Sequence, residues 1–180
     1  MRSRRQDETQ AVESLTKLGA RVYRDETAED KPVDHVNLGA TKVSDADLSA
    51  LSAFPKLKKL TLNSTPITDA ALDTVAGLPS LEKLYLVDTK ITDAGLTKLV
   101  KLTNLHVLSL VGTEVSDAAV EPLANLGGLE LVFLSATKVT DEGVQKLKER
   151  KAGLKVERDA PVVKKEEEKK EEPKKEEPAK

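Results

Sequence analysis

Residues 81–96 read Leu81-Glu82-Lys83-Leu84-Tyr85-Leu86-Val87-Asp88-Thr89-Lys90-Ile91-Thr92-Asp93-Ala94-Gly95-Leu96. Two periods meet in this stretch. From Lys83 to Leu86 apolar and other residues alternate, which points Leu84 and Leu86 to one side of a strand and Tyr85 to the other. After Ile91 the Thr92-Asp93 pair marks a helix start. A short oxygen-bearing side chain can accept from an unpaired backbone N–H there, and a carboxylate suits the positive helix end. Either residue fits the cap.

The same phrase returns every 24 residues, with Thr41, Thr65, Thr89, Thr113 and Thr137 in register. Two strand positions recur with it: Val36, Leu60, Leu84, Leu108, Val132, and Leu38, Leu62, Leu86, Leu110, Leu134. A third apolar position follows the Thr (Val43, Ile67, Ile91, Val115, Val139). A set spaced by three comes next, as in Leu72, Val75, Leu78 and Leu81. These predict a helix of about eight to ten residues per repeat, with Ala70, Ala94, Gly95, Ala118 and Ala119 allowing close packing in its first turn. No single unit can hide its apolar face, so the units must stack into a solenoid with a parallel sheet and one continuous core. Each fully buried Leu or Ile then contributes roughly 1.5–3 kcal/mol. The Thr hydroxyl is expected to bond backbone where the chain turns out of the strand.

The pattern resembles the leucine-rich repeat, Leu-x-x-Leu-x-Leu-x-x-(Asn/Cys)-x-Leu, which Leu81 to Ile91 matches with Thr89 at the Asn/Cys place. Thr89 to Leu96 is similar to the cysteine-containing subclass, and more so to its Cys-free form in bacterial proteins of the planctomycete kind. No F-box-like segment accompanies it. The resemblance covers about residues 35–158. It implies a right-handed α/β solenoid of five leucine-rich repeats, with parallel strands on the concave face and short helices on the convex face.

Both ends depart from the repeat. Residues 1–34 form an expected N-terminal cap, with a helix over about 7–18 closed by Gly19, a strand over about 20–24 and a polar loop to Pro32. At the other end Arg150 and Gly153 stand where earlier copies have Leu, and Lys155-Val156-Glu157 offers a closing strand. Residues 159–180 turn to Lys, Glu and Pro, with Lys and Glu at seven each, and are expected to be disordered rather than a polybasic anchor.

Aromatics make up 2% of the chain, which suits layers filled by one repeated aliphatic residue. There is no Cys, so disulfides, thiolate metal sites and Cys nucleophiles are excluded. A formal net charge of −2 gives no field for nucleic acid. Apolar runs are too short to insert in a membrane, and the basic N-terminus has no apolar stretch behind it. The chain as written reads as cytoplasmic, or as exported if a leader has been removed.

No catalytic set is legible. His35 and His106 lie at different repeat phases, and no nucleophile elbow is present. The Asp45, Asp69, Asp93, Asp117 and Asp141 ladder supplies one carboxylate per layer, too few for calcium, so helix capping is its expected role. No cofactor or metal is expected, and Gly127-Gly128 reads as a turn rather than a phosphate loop. What varies between repeats is the strand face turned from the core. Its middle row is Asn37, Thr61, Tyr85, Ser109 and Phe133. On either side lie His35, Lys59, Lys83, Val107, Leu131 and Gly39, Asn63, Val87, Val111, Ser135. The first half is polar and basic, whereas the second gathers Tyr85, Val87, Val107, Val111, Leu131 and Phe133. Such a patch marks an expected protein-binding surface on a non-catalytic interaction module of unknown partner. Residues that merely suit a sheet surface would give the same pattern. A monomer is expected, with a self-associating scaffold as one alternative. The resemblance suggests another, a stoichiometric enzyme inhibitor.

Overall fold

In the computed structural model, residues 4–158 are described, and the Lys/Glu/Pro segment 159–180 lies outside them. Seven strands form one sheet in chain order: β1 (Arg21–Arg24), β2 (Val33–Asn37), β3 (Lys59–Thr61), β4 (Lys83–Tyr85), β5 (Val107–Ser109), β6 (Leu131–Phe133) and β7 (Lys155–Glu157). β2 to β7 run parallel in strict 24-residue register, so Val36, Leu60, Leu84, Leu108, Val132 and Val156 align across the sheet. β1 departs from this and pairs antiparallel with β2, Tyr23 opposite His35. The helix α1 (Arg4–Lys17) precedes it and buries Leu15 at the first layer.

Alternation carries every predicted strand Leu and Val inward, with 0% exposure from Val36 to Leu134. The backbone ladder runs on past the strands. The Leu62 N–H donates to the Tyr85 carbonyl (2.9 Å) and the Ser64 N–H to Val87 (2.7 Å). The turn after each strand is closed as its Thr predicted. Thr65, Thr89 and Thr113 are buried and donate their hydroxyls to the carbonyls of Leu62, Leu86 and Leu110 at 2.6, 2.7 and 2.6 Å.

The other side differs from the expected helix of eight to ten residues. It consists of short pieces: a 3-10 segment Ala46–Ala53, α2 (Ala71–Val75), α3 (Asp93–Leu96) continued by a 3-10 segment Thr97–Lys101, and α4 (Val120–Ala124) preceded by a 3-10 turn Asp117–Ala119. A spacing of three suits the 3-10 turns among these pieces. A 3-10 helix has three residues per turn, so residues three apart share one face, whereas on an α-helix such a stripe drifts off the core. Backbone bonds follow that stripe, Leu78 N–H to Val75, Leu81 to Leu78, Leu102 to Leu99 and Leu105 to Leu102. In the last repeat the spacing breaks at Arg150 and Gly153, and there a regular helix, α5 (Asp141–Arg150), forms. In the first turns Ala71, Gly95 and Ala119 are the buried small residues, and Ala70, Ala94 and Ala118 face solvent.

The Asp ladder has a different role from the one expected. Thr92, Ser116 and Thr140 are the helix caps, each accepting from a backbone N–H of its own repeat. The Asp beside each cap reaches forward to the next repeat. Asp69 accepts from the N–H of Thr92 at 2.9 Å and from its hydroxyl at 2.6 Å. Asp45 does the same for Thr68, Asp93 for Ser116 and Asp117 for Thr140. Both ends of this ladder are closed. Ser44, which has no Asp before it, gives its N–H and hydroxyl to Asp47, and Asp141 accepts from Arg158 at 2.7 Å.

Candidate functional site

The outward sheet face is built by alternation alone. On β3 to β6 the central residue of each strand faces the core, which leaves Lys59, Thr61, Lys83, Tyr85, Val107, Ser109, Leu131 and Phe133 on the other side. The parallel register puts Asn37, Thr61, Tyr85, Ser109 and Phe133 in one row and His35, Lys59, Lys83, Val107 and Leu131 in the next. Val87 and Val111 follow where the chain leaves β4 and β5.

The expected apolar patch is therefore brought together, but as a shallow surface. Tyr85, Val87, Val107, Val111, Leu131 and Phe133 are all half-buried. Ser109 is only 4% exposed, because it sits in register between Tyr85 and Phe133 on the neighbouring strands. It is the floor of the surface. Asn37 is also partly committed, since its side-chain oxygen accepts from the Gly39 N–H at 2.9 Å.

The polar half is organised by rings. The Lys59 ammonium lies 5.5 Å from the Tyr85 ring centroid, within range of a cation–π attraction. Tyr23 stacks on His35 at 4.8 Å with the planes 15° apart. Tyr23 is 45% exposed, and the repeat pattern could not have shown it, because β1 lies outside the period and pairs antiparallel. Its signal is the alternation in Arg21-Val22-Tyr23, where Val22 opposite buried Val36 turns Arg21 and Tyr23 outward. Burial holds the His35 pKa below its ordinary value, Lys59 lowers it further and Asp34 opposes the shift. Among the described residues the buried His35 Nε2 has no hydrogen-bond partner. A cleft of about 400 Å³ runs along this end between Tyr23, Asp34, His35, Lys58, Lys59, Glu82 and Lys83. A larger cleft, about 620 Å³, lies at the far end between α5 and β7, against Val144 and Val156.

Among the described residues no group of three or more His, Asp or Glu is placed to hold a metal ion, and no helix is long and apolar enough to cross a membrane.

Residues 77–100, one full turn of the stack, match the family model described as Leucine Rich repeat. The fold is a leucine-rich repeat solenoid. An internalin from Listeria monocytogenes shares it, at 24% identity and a TM-score of 0.55, over 71% of this chain and 35% of that one. Two more distant structures are a leucine-rich repeat protein from Leptospira interrogans and the ectodomain of the receptor kinase SOBIR1 from Arabidopsis thaliana. The first has 18% identity and a TM-score of 0.45, covering 61% and 33% of the two chains. The second has 16% identity and a TM-score of 0.47, covering 86% and 97%. The chain thus spans about a third of the internalin, and no curated protein matches its sequence.

Proposed function

We propose that this leucine-rich repeat chain is a non-catalytic protein-interaction module, and that it grips its partner on the outward sheet face. The observation that carries this reading is the half-buried apolar surface of Tyr85, Val107, Leu131 and Phe133, turned away from a core that is already complete without it. The inward strand residues from Val36 to Leu134 lie on the other side at 0% exposure, so these side chains are free to differ between repeats. Aromatic anchors on a shallow surface carry a disproportionate share of binding energy. A wide sheet presents them on rigid backbone, which lowers the ordering cost of association.

Capture from lysate of the source organism tests this, with wild type beside Tyr85→Glu/Phe133→Glu. The variant should unfold at about the wild-type temperature and lose a partner that wild type retains. Equal capture by the two proteins would move the contact surface elsewhere on the molecule.

A further inference from the structure

Lys59 and Lys83 stand directly opposite each other on β3 and β4, and His35 stands opposite Lys59 on β2. Neighbouring strands are about 4.8 Å apart, and like charges facing each other across a strand pair destabilise the sheet. Among the described residues no carboxylate lies within ion-pair distance of either lysine. From β1 to β6 no outward strand position carries an acid. Asp34 and Glu82 meet the cleft from the strand entries, beside Lys58. Elsewhere on the molecule Lys98 and Arg158 are paired, with Asp73 and Asp141. Two cations without an ion-pair partner among the described residues, one of them over the Tyr85 ring, thus border the apolar surface, with Asp34 and Glu82 lining the same cleft.

We propose that Lys59 and Lys83 receive a carboxylate of the partner, so that the bound segment is an acidic residue followed by a bulky apolar one. This deepens the sheet-face reading and rests on it. Geometry sets the spacing. From β4, which carries Lys83, to β6, which carries Phe133, is two strand separations, about 10 Å, or roughly three residues of extended peptide. A peptide crossing the strands would place its carboxylate on the lysines and its apolar side chain against Leu131 and Phe133. A nucleic acid fits less well, because only a few cations line the face and the chain carries a net charge of −2.

Selection from a displayed library of random peptides tests the inference on the full chain, on Lys59→Glu/Lys83→Glu and on Tyr85→Glu/Phe133→Glu. Wild type should enrich Asp or Glu about three residues from Leu, Ile, Phe or Trp. A synthetic copy of the most enriched peptide should bind the lysine variant at least tenfold more weakly, with the gap narrowing as salt rises. Lys59→Gln/Lys83→Gln repeats the comparison without adding acids. Peptides that need Tyr85 and Phe133 but show no acidic excess would overturn the carboxylate site and leave the sheet-face reading standing. No enrichment, or peptides insensitive to Tyr85→Glu/Phe133→Glu, would overturn both. Tighter binding of an oligothymidylate than of the selected peptides would assign the lysines to phosphate and also overturn the proposal.

Discussion

The hydroxyl of Thr92 serves two repeats at once. It donates to Asp69 of the preceding repeat and accepts from the Ala94 N–H of its own. A single hydroxyl oxygen does both, which a carboxylate, having no donor, cannot, and this suits the Ser or Thr that recurs there. The Thr92-Asp93 pair was legible as a helix start because capping is a local signal. The bond between repeats was not, because its partner lies 23 residues away and appears only when the layers stack. Asp93→Ala removes two bonds to a charged acceptor and should cost about 1.5–3 kcal/mol in urea unfolding. The hydrogen bonds from Thr140 to Asp117, and from Ser44 to Asp47, hold both carboxyls below their ordinary pKa. A depressed folded-state pKa gives stability that is present above the unfolded value, near 3.9, and lost as pH falls through the folded value. Unfolding followed from pH 5 to pH 2 should show this loss, and Asp117→Asn should remove part of it. A second residue-scale feature recurs with the repeat. Ala40, Ser64, Asp88, Gly112 and Ala136 all have positive φ, from 52° to 68°, and only one of them is Gly. A left-handed L-residue costs roughly 1–2 kcal/mol, so Ala136→Gly should stabilise the chain by about 1 kcal/mol, read as a shift in the urea midpoint. Gly112→Ala should do the reverse, since it would put an L-residue at a φ of 68°.

At the scale of the element, the strands were the most legible part because period two and period 24 agree on them. The helix side was legible in its burial but not in its type. Leu48, Leu51, Phe54 and Leu57 are all buried, as the spacing of three requires, yet that spacing is carried by a 3-10 segment at Leu48 and Leu51 and by an α-helix at Leu72 and Val75. The sheet face was legible in direction but not in depth: alternation turned Ser109 outward, and its two ring-bearing neighbours then closed over it. The opposed lysines give this scale its prediction. Lys83→Glu would set opposite charges across β3 and β4 and should raise stability by roughly 0.5 kcal/mol. The same change should weaken an acidic ligand, so a gain in thermal stability with a loss of peptide binding is the expected pair of results.

For the whole molecule, each repeat touches only its neighbours, so stability is a sum of layers and their interfaces. Leu99→Ala, in the middle of the stack, should cost about 2–5 kcal/mol and loosen amide protection first in the adjoining repeats. Such a stack has no need of a closed pocket; what it offers is a rigid sheet whose outward side chains were left free by the core. Side-chain oxidative footprinting of the chain, alone and with its captured partner, tests that claim most directly. The sheet-face account predicts that labelling of Tyr85 and Phe133 falls on binding while Val100, exposed on the helix side, labels as before. Unchanged labelling of both rings, with protection at Val100 instead, would contradict it.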